Sequence, residues 1–123
     1  MKKLLIVDDE AEIVELVTMV LEQDDRSIFT AYDGEQALEI VHEEQPDLVL
    51  SDIMMPRLDG RELCKRIRAD PTTSGIVIIL MSAVYKLEAA DCDADGLIRK
   101  PFDISMITGL INRHLVSSPQ RRV

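Results

Sequence analysis

Residues 46–60 read PDLVLSDIMMPRLDG, and this stretch decides the fold. Leu48-Val49-Leu50 is apolar without a break, and Pro46-Asp47 before it is turn chemistry. The segment therefore reads as a short strand buried on both faces. A single acid, Asp52, stands at its carboxyl end. Two methionines, a proline and Asp59-Gly60 follow, so the chain turns there. Met54 and Met55 read as packing residues of that turn. In an open α/β sheet, ligands gather outside the carboxyl ends of the strands. A lone acid in that place has an ordinary reading as a strand or turn cap. The residues that join Asp52 there set its meaning.

Working outward, Leu4-Leu5-Ile6-Val7 is a second apolar run, and it ends abruptly in Asp8-Asp9-Glu10. Ile13, Leu16, Val17, Val20 and Leu21 then recur at helical spacing, which predicts a helix from near Ala11 with Asp9 as its cap. Ser27–Ala31 is a short strand, and Asp33-Gly34 opens a second helix carrying Ala37, Leu38, Ile40 and Val41. A third helix follows Gly60, with Leu63, Cys64 and Ile67 inward, and stops before Asp70-Pro71. Ile76 to Met81 is the strongest buried strand, with Ser82 at its end. Tyr85 to Asp91 has helical composition, and Leu97-Ile98-Arg99 is a fifth strand leading into Lys100-Pro101. Asp103 caps a last helix with Ile104, Ile107, Leu110, Ile111 and Leu115 inward.

Strands alternating with helices imply parallel strands and right-handed crossovers. Five units in 123 residues fit one α/β domain: a three-layer, doubly wound, five-stranded parallel sheet with the flavodoxin-like order 2-1-3-4-5. The domain covers residues 1–116, and 117–123 reads as a tail or truncated linker. That strand order gathers Asp8, Asp9, Asp52, Ser82 and Lys100 at one edge.

The net charge of −9 disfavours nucleic-acid binding by this domain's own surface. Cys64 and Cys92 lack CxxC spacing and read as reduced packing residues of a cytoplasmic protein. The amino terminus is too short in apolar residues for a signal peptide or membrane span.

Three carboxylates at one edge repel: two unit charges about 4 Å apart cost roughly 4 kcal/mol at an effective dielectric of 20. A hard divalent cation relieves this, and Mg2+ fits best because it keeps waters for an incoming phosphate. Lys100 supplies a compact positive charge and Ser82 a hydroxyl, a pair suited to the oxygens of a transferring phosphoryl group. Asp52 then acts as nucleophile, giving an aspartyl phosphate. Taken singly, Ser82 and Lys100 have ordinary readings as turn and surface residues. Four strand ends delivering acid pair, acid, hydroxyl and lysine together do not.

These residues resemble the receiver domain of bacterial two-component response regulators, from Lys2 to about Val116. The resemblance is carried by Ile6-Val7-Asp8-Asp9-Glu10, by Asp52-Ile53-Met54-Met55-Pro56-Arg57-Leu58-Asp59-Gly60, by Met81-Ser82-Ala83 and by Lys100-Pro101-Phe102. It implies that Asp52 accepts a phosphoryl group from a histidine kinase phosphohistidine or a phosphotransfer protein. It implies Mg2+ held by Asp9 and Asp52, with Asp8 acting mainly through water and Met54 through its backbone carbonyl. Ser82 and Lys100 would contact the phosphoryl group, and the Lys100-Pro101 peptide would be cis. The implied role is signalling, not external turnover, with phosphorylation-dependent homodimers among the partners.

Two departures stand out. Leu97 replaces the aromatic residue usual three positions before the lysine, and the 18 positions from Ser82 to Lys100 are fewer than usual. Rival readings are a degenerate receiver serving as a binding module and an aspartate-nucleophile Mg2+ phosphohydrolase. The latter needs an acid two residues beyond the nucleophile, where this chain has Met54.

Overall fold

The computed structural model describes residues 2–82, 92–100 and 102–117. Its elements are β1 (Lys2–Val7), α1 (Ala11–Leu21), β2 (Arg26–Ala31), α2 (Gly34–Glu44), β3 (Leu48–Asp52), α3 (Gly60–Ala69), β4 (Val77–Ser82), β5 (Gly96–Arg99) and α4 (Ile104–Ser117). The expected helix over Tyr85–Asp91 and the cis peptide before Pro101 lie outside the described residues.

All strand pairs are parallel, in the order β2-β1-β3-β4-β5 predicted from the sequence. Strand alternation sends successive side chains to opposite faces and so builds two cores. Leu5, Val7, Val49, Ile78 and Leu80 pack on Ala37 and Val41 of α2 and on Leu63, Cys64 and Ile67 of α3. Leu4, Ile6, Leu48, Leu50, Ile79 and Met81 pack on Val14, Val17 and Leu21 of α1 and on Ile107, Ile111 and Leu115 of α4. Burial on both faces explains why β1, β3 and β4 are apolar runs and not alternating strands.

Helix starts follow the local chemistry. The Asp33 carboxylate accepts the Gln36 N–H at 2.7 Å, Asp59 accepts that of Glu62 at 2.9 Å, and Asp103 accepts that of Met106 at 2.8 Å. The first helix differs from expectation. Its N-cap position is Glu10, whose side chain makes no capping bond, and Asp9 does not cap it. The inward stripe is Val14, Val17 and Leu21, while Leu16 is 42% exposed. Leu16 lies about 200° around the helix from Val14, so the two cannot share a face. Ile104, the first residue of α4, is likewise exposed, and the inward stripe starts at Ile107.

Cys64 and Cys92 are both buried, and neither forms a disulfide. The Cys64 thiol donates to the Cys92 carbonyl oxygen at 2.8 Å. Burial, reinforced by a hydrogen bond with the Cys92 thiol, pushes the Cys64 thiol far up, which suits packing and not nucleophilic chemistry.

Candidate functional site

The sheet register delivers the predicted residues to one end. Val7 is opposite Ser51, Asp52 opposite Met81, and Ser82 opposite Arg99, so β1, β3, β4 and β5 terminate as a staggered row. Backbone bonds continue the pairing past the strand ends. The Ile53 N–H donates to Met81 O at 3.0 Å, and the Lys100 N–H donates to Ser82 O at 2.8 Å. These bonds fix where Asp52 and Lys100 leave the sheet.

The Lys100 ammonium sits between two carboxylates, 3.1 Å from Asp8 Oδ2 and 3.2 Å from Asp52 Oδ1. Asp8 is fully buried, and its other oxygen accepts the Glu10 N–H at 2.9 Å. Asp8 is therefore held at both oxygens. Asp52 is also buried. Burial first, and then the charge of Asp8, raise the Asp52 carboxyl above its ordinary value; Lys100 offsets only part of this. Burial works to lower the Lys100 pKa. The hydrogen bond to Asp8 and the charges of Asp52 and Asp8 outweigh it and hold the ammonium above its usual value. Ser82 is buried at the end of β4, beside the strand that carries Asp52.

Carboxylate oxygens of Asp8, Asp9 and Glu10 all lie within 4.8 Å of one another. Asp8 is buried, whereas Asp9 and Glu10 are exposed. Glu10 is a neighbour in this cluster that the sequence reading did not single out, although it completes the acidic run. Hard oxygen donors gathered this closely are the ligand type that Mg2+ takes. Asp8, Asp9, Glu10 and Asp52 set four carboxylates at this edge against the Lys100 ammonium. The remaining imbalance suits a divalent cation. The donor set thus fits Mg2+.

Residues 53–59 form the loop beyond Asp52. Ile53 and Met55 turn back into the core, as does Leu58. Met54, expected as turn packing, is instead 62% exposed, because the chain places it outward between two inward neighbours. Its side chain contributes nothing to the core.

Comparison with known proteins agrees with this geometry. A model of the response regulator receiver domain matches residues 4–112. Response regulator ArlR of Staphylococcus saprophyticus is 36% identical over 124 residues, covering 100% of this chain and 56% of that protein. Response regulator ArlR of Staphylococcus aureus is 33% identical over 124 residues, covering 100% and 57%. The chain thus spans little more than half the length of these curated relatives. Among solved structures, a CheY-like response regulator receiver domain protein from Methanospirillum hungatei superposes with a TM-score of 0.89 at 25% identity, covering 98% of both chains. Chemotaxis protein CheY4 of Vibrio cholerae gives a TM-score of 0.84 at 27% identity, covering 92% of this chain and 98% of that one. Strand order, acidic edge and sequence match agree that this chain belongs to the response regulator receiver domain family of two-component signal transduction.

Proposed function

We propose that Asp52 is a phosphoacceptor. A carboxylate oxygen of Asp52 attacks the phosphorus of a phosphohistidine on a histidine kinase or a phosphotransfer protein. The P–N bond breaks, its electron pair stays on the imidazole, and the phosphoryl group becomes an aspartyl phosphate. The Lys100 ammonium and the Ser82 hydroxyl hold phosphoryl oxygens. Asp9, Asp52 and the Met54 carbonyl would hold Mg2+, with Asp8 acting mainly through water. That ion supplies charge neutralisation for the transferring group.

The observation that carries this reading is the Lys100 ammonium lying 3.2 Å from Asp52 and 3.1 Å from the buried Asp8. It sets a fixed positive charge beside the carboxylate that would receive the phosphoryl group. The role is signalling in the cytoplasm, with phosphorylation changing the surface offered to a partner or to a second copy. No described helix is long and apolar enough to cross a membrane.

Incubation with acetyl phosphate and Mg2+ tests the assignment by intact-mass measurement. One added phosphate is expected on the wild type and none on Asp52→Asn. Labelling of that variant at the wild-type level would remove Asp52 from the role.

A further inference from the structure

The loop beyond Asp52 is seated between two glycines. A Cβ on Gly60, the first residue of α3, would lie 2.2 Å from the Asp52 carbonyl oxygen and 2.8 Å from Ile53 Cα. A Cβ on Gly34, the first residue of α2, would lie 2.2 Å from the Leu58 carbonyl oxygen and 2.7 Å from Leu58 Cβ. Both glycines are buried. Neither has a positive φ, so the requirement at each is close approach and not a special backbone conformation. On helix propensity alone, alanine would be preferred at the start of α2.

The same contact region holds a strained residue. Arg57 has φ 68°, a left-handed conformation that residues other than glycine keep only where their surroundings over-determine it. Its guanidinium lies 4.0 Å from the carboxylate of Asp33, the residue that caps α2. At the other end, the Gly60 N–H donates to Ile53 O at 2.9 Å. The start of α2 therefore bears on residues 57–58, while the start of α3 bears on residues 52–53. The Met54 carbonyl lies on the span between them.

We propose that Gly34, although outside the Asp-x-x-Met-Pro-x-x-Asp-Gly motif, is a positioning residue for the phosphoacceptor site. By letting α2 approach the Leu58 main chain, it seats the 53–58 loop so that the Asp52 main chain and the Met54 carbonyl take the positions that Mg2+ binding and phosphoryl transfer need. This rests on the reading of Asp52 as phosphoacceptor. A Cβ at Gly34 meets backbone, which cannot swing aside as a long side chain would. Either the start of α2 or the loop it seats must shift, and displacement of reacting groups by about 1 Å costs on the order of a hundredfold in rate.

The test compares wild type with Gly34→Ala, Leu58→Ala and Gly109→Ala. Gly109 sits on α4 with nothing within 4 Å of an added Cβ, so its variant is the control for an extra methyl group. Three quantities are measured on each: apo melting temperature, Mg2+ affinity by amide NMR titration, and initial rate of labelling by acetyl phosphate. Gly34→Ala should weaken Mg2+ binding and slow labelling by about tenfold or more, with Gly109→Ala at wild-type values. Should Gly34→Ala fail to fold, Leu58→Ala releases the loop without crowding it, and a loss in the same direction is expected. Wild-type affinity and rate in folded Gly34→Ala, even with a lowered melting temperature, would overturn the proposal. So would wild-type values in Leu58→Ala where Gly34→Ala does not fold. A wild type that neither binds Mg2+ nor accepts phosphate overturns the phosphoacceptor reading and this proposal together. Normal wild-type labelling with an unaffected Gly34→Ala overturns this proposal alone.

Discussion

Lys100 at the end of β5 and Asp8 beyond β1 form an ion pair of 3.1 Å across the intervening strands β4 and β3. Asp8 has no exposed surface, and the Lys100 side chain keeps 17%. Removing one partner of a fully buried pair leaves an uncompensated charge and typically costs roughly 3–5 kcal/mol. Partial exposure of Lys100 reduces this. Lys100→Ala should therefore destabilise the metal-free protein by about 2 kcal/mol at neutral pH, read from urea unfolding. An unchanged midpoint would mean that solvent already screens Asp8 and Asp52.

Asp52 should behave in the opposite sense. Burial and the neighbouring Asp8 charge disfavour its ionised form, and Lys100 does not fully offset them. Lys100 retains Asp8 as a partner when Asp52 is neutralised. Asp52→Asn should raise metal-free stability, by on the order of 1 kcal/mol, while abolishing phosphate uptake. Lower stability would show that the Lys100 contact outweighs burial.

The sheet was legible in the sequence because β1, β3 and β4 are buried on both faces and so appear as unbroken apolar runs. The candidate site was legible because Asp8 and Ser82 directly follow such runs and Asp52 follows one residue later, while Lys100 follows the shorter β5. The facing of α1 was not. Ile13, Val14, Leu16, Val17, Met19, Val20 and Leu21 spread apolar residues over about 220° of that helix, wider than one buried stripe, with Val14 and Leu16 towards opposite edges, so periodicity alone could not say which edge turns inward. Pairings between distant residues were also hidden. Nothing local to Gly34 announces that Leu58 lies against it, because that approach is made only when α2 and the 53–58 loop meet.

The cap of α4 gives a pH dependence. The Asp103 carboxylate accepts from the Ser105 hydroxyl at 2.7 Å and from the Met106 N–H at 2.8 Å. These bonds, the Ser105 bond foremost, hold its pKa below the ordinary carboxylate value of 3.8. The folded state thus releases this proton more readily than the unfolded state. Its contribution is fully present above the unfolded pKa and is lost as pH falls through the lowered folded value. Asn caps almost as well and does not titrate. Asp103→Asn should leave neutral-pH stability nearly unchanged and flatten the acid limb of the melting curve below pH 3.8. An acid limb identical to wild type would place the acid sensitivity elsewhere.

Arg68 in the last turn of α3 supports the approach to β5. Its guanidinium donates to the carbonyls of Asp93 at 3.0 Å and Ser74 at 2.9 Å, to that of Ile76, and to Asp95 Oδ2 at 2.8 Å. Asp95 in turn accepts the Ile78 N–H at 2.8 Å through the same oxygen and donates its own N–H to Ile78 O at 2.7 Å. One planar fork thus ties α3, the 70–76 loop and the residues before β5 to β4. Both side chains are nearly buried, at 11% and 12% exposed, so solvent screens the pair weakly. Arg68→Ala leaves Asp95 charged and three carbonyls without this donor. It should cost about 3 kcal/mol by urea unfolding. A lysine offers one compact ammonium in place of a rigid fork and cannot reach these acceptors together. Arg68→Lys should therefore recover less than half of the loss. Full recovery by lysine would show that charge alone, and not the geometry of the fork, holds this corner of the domain.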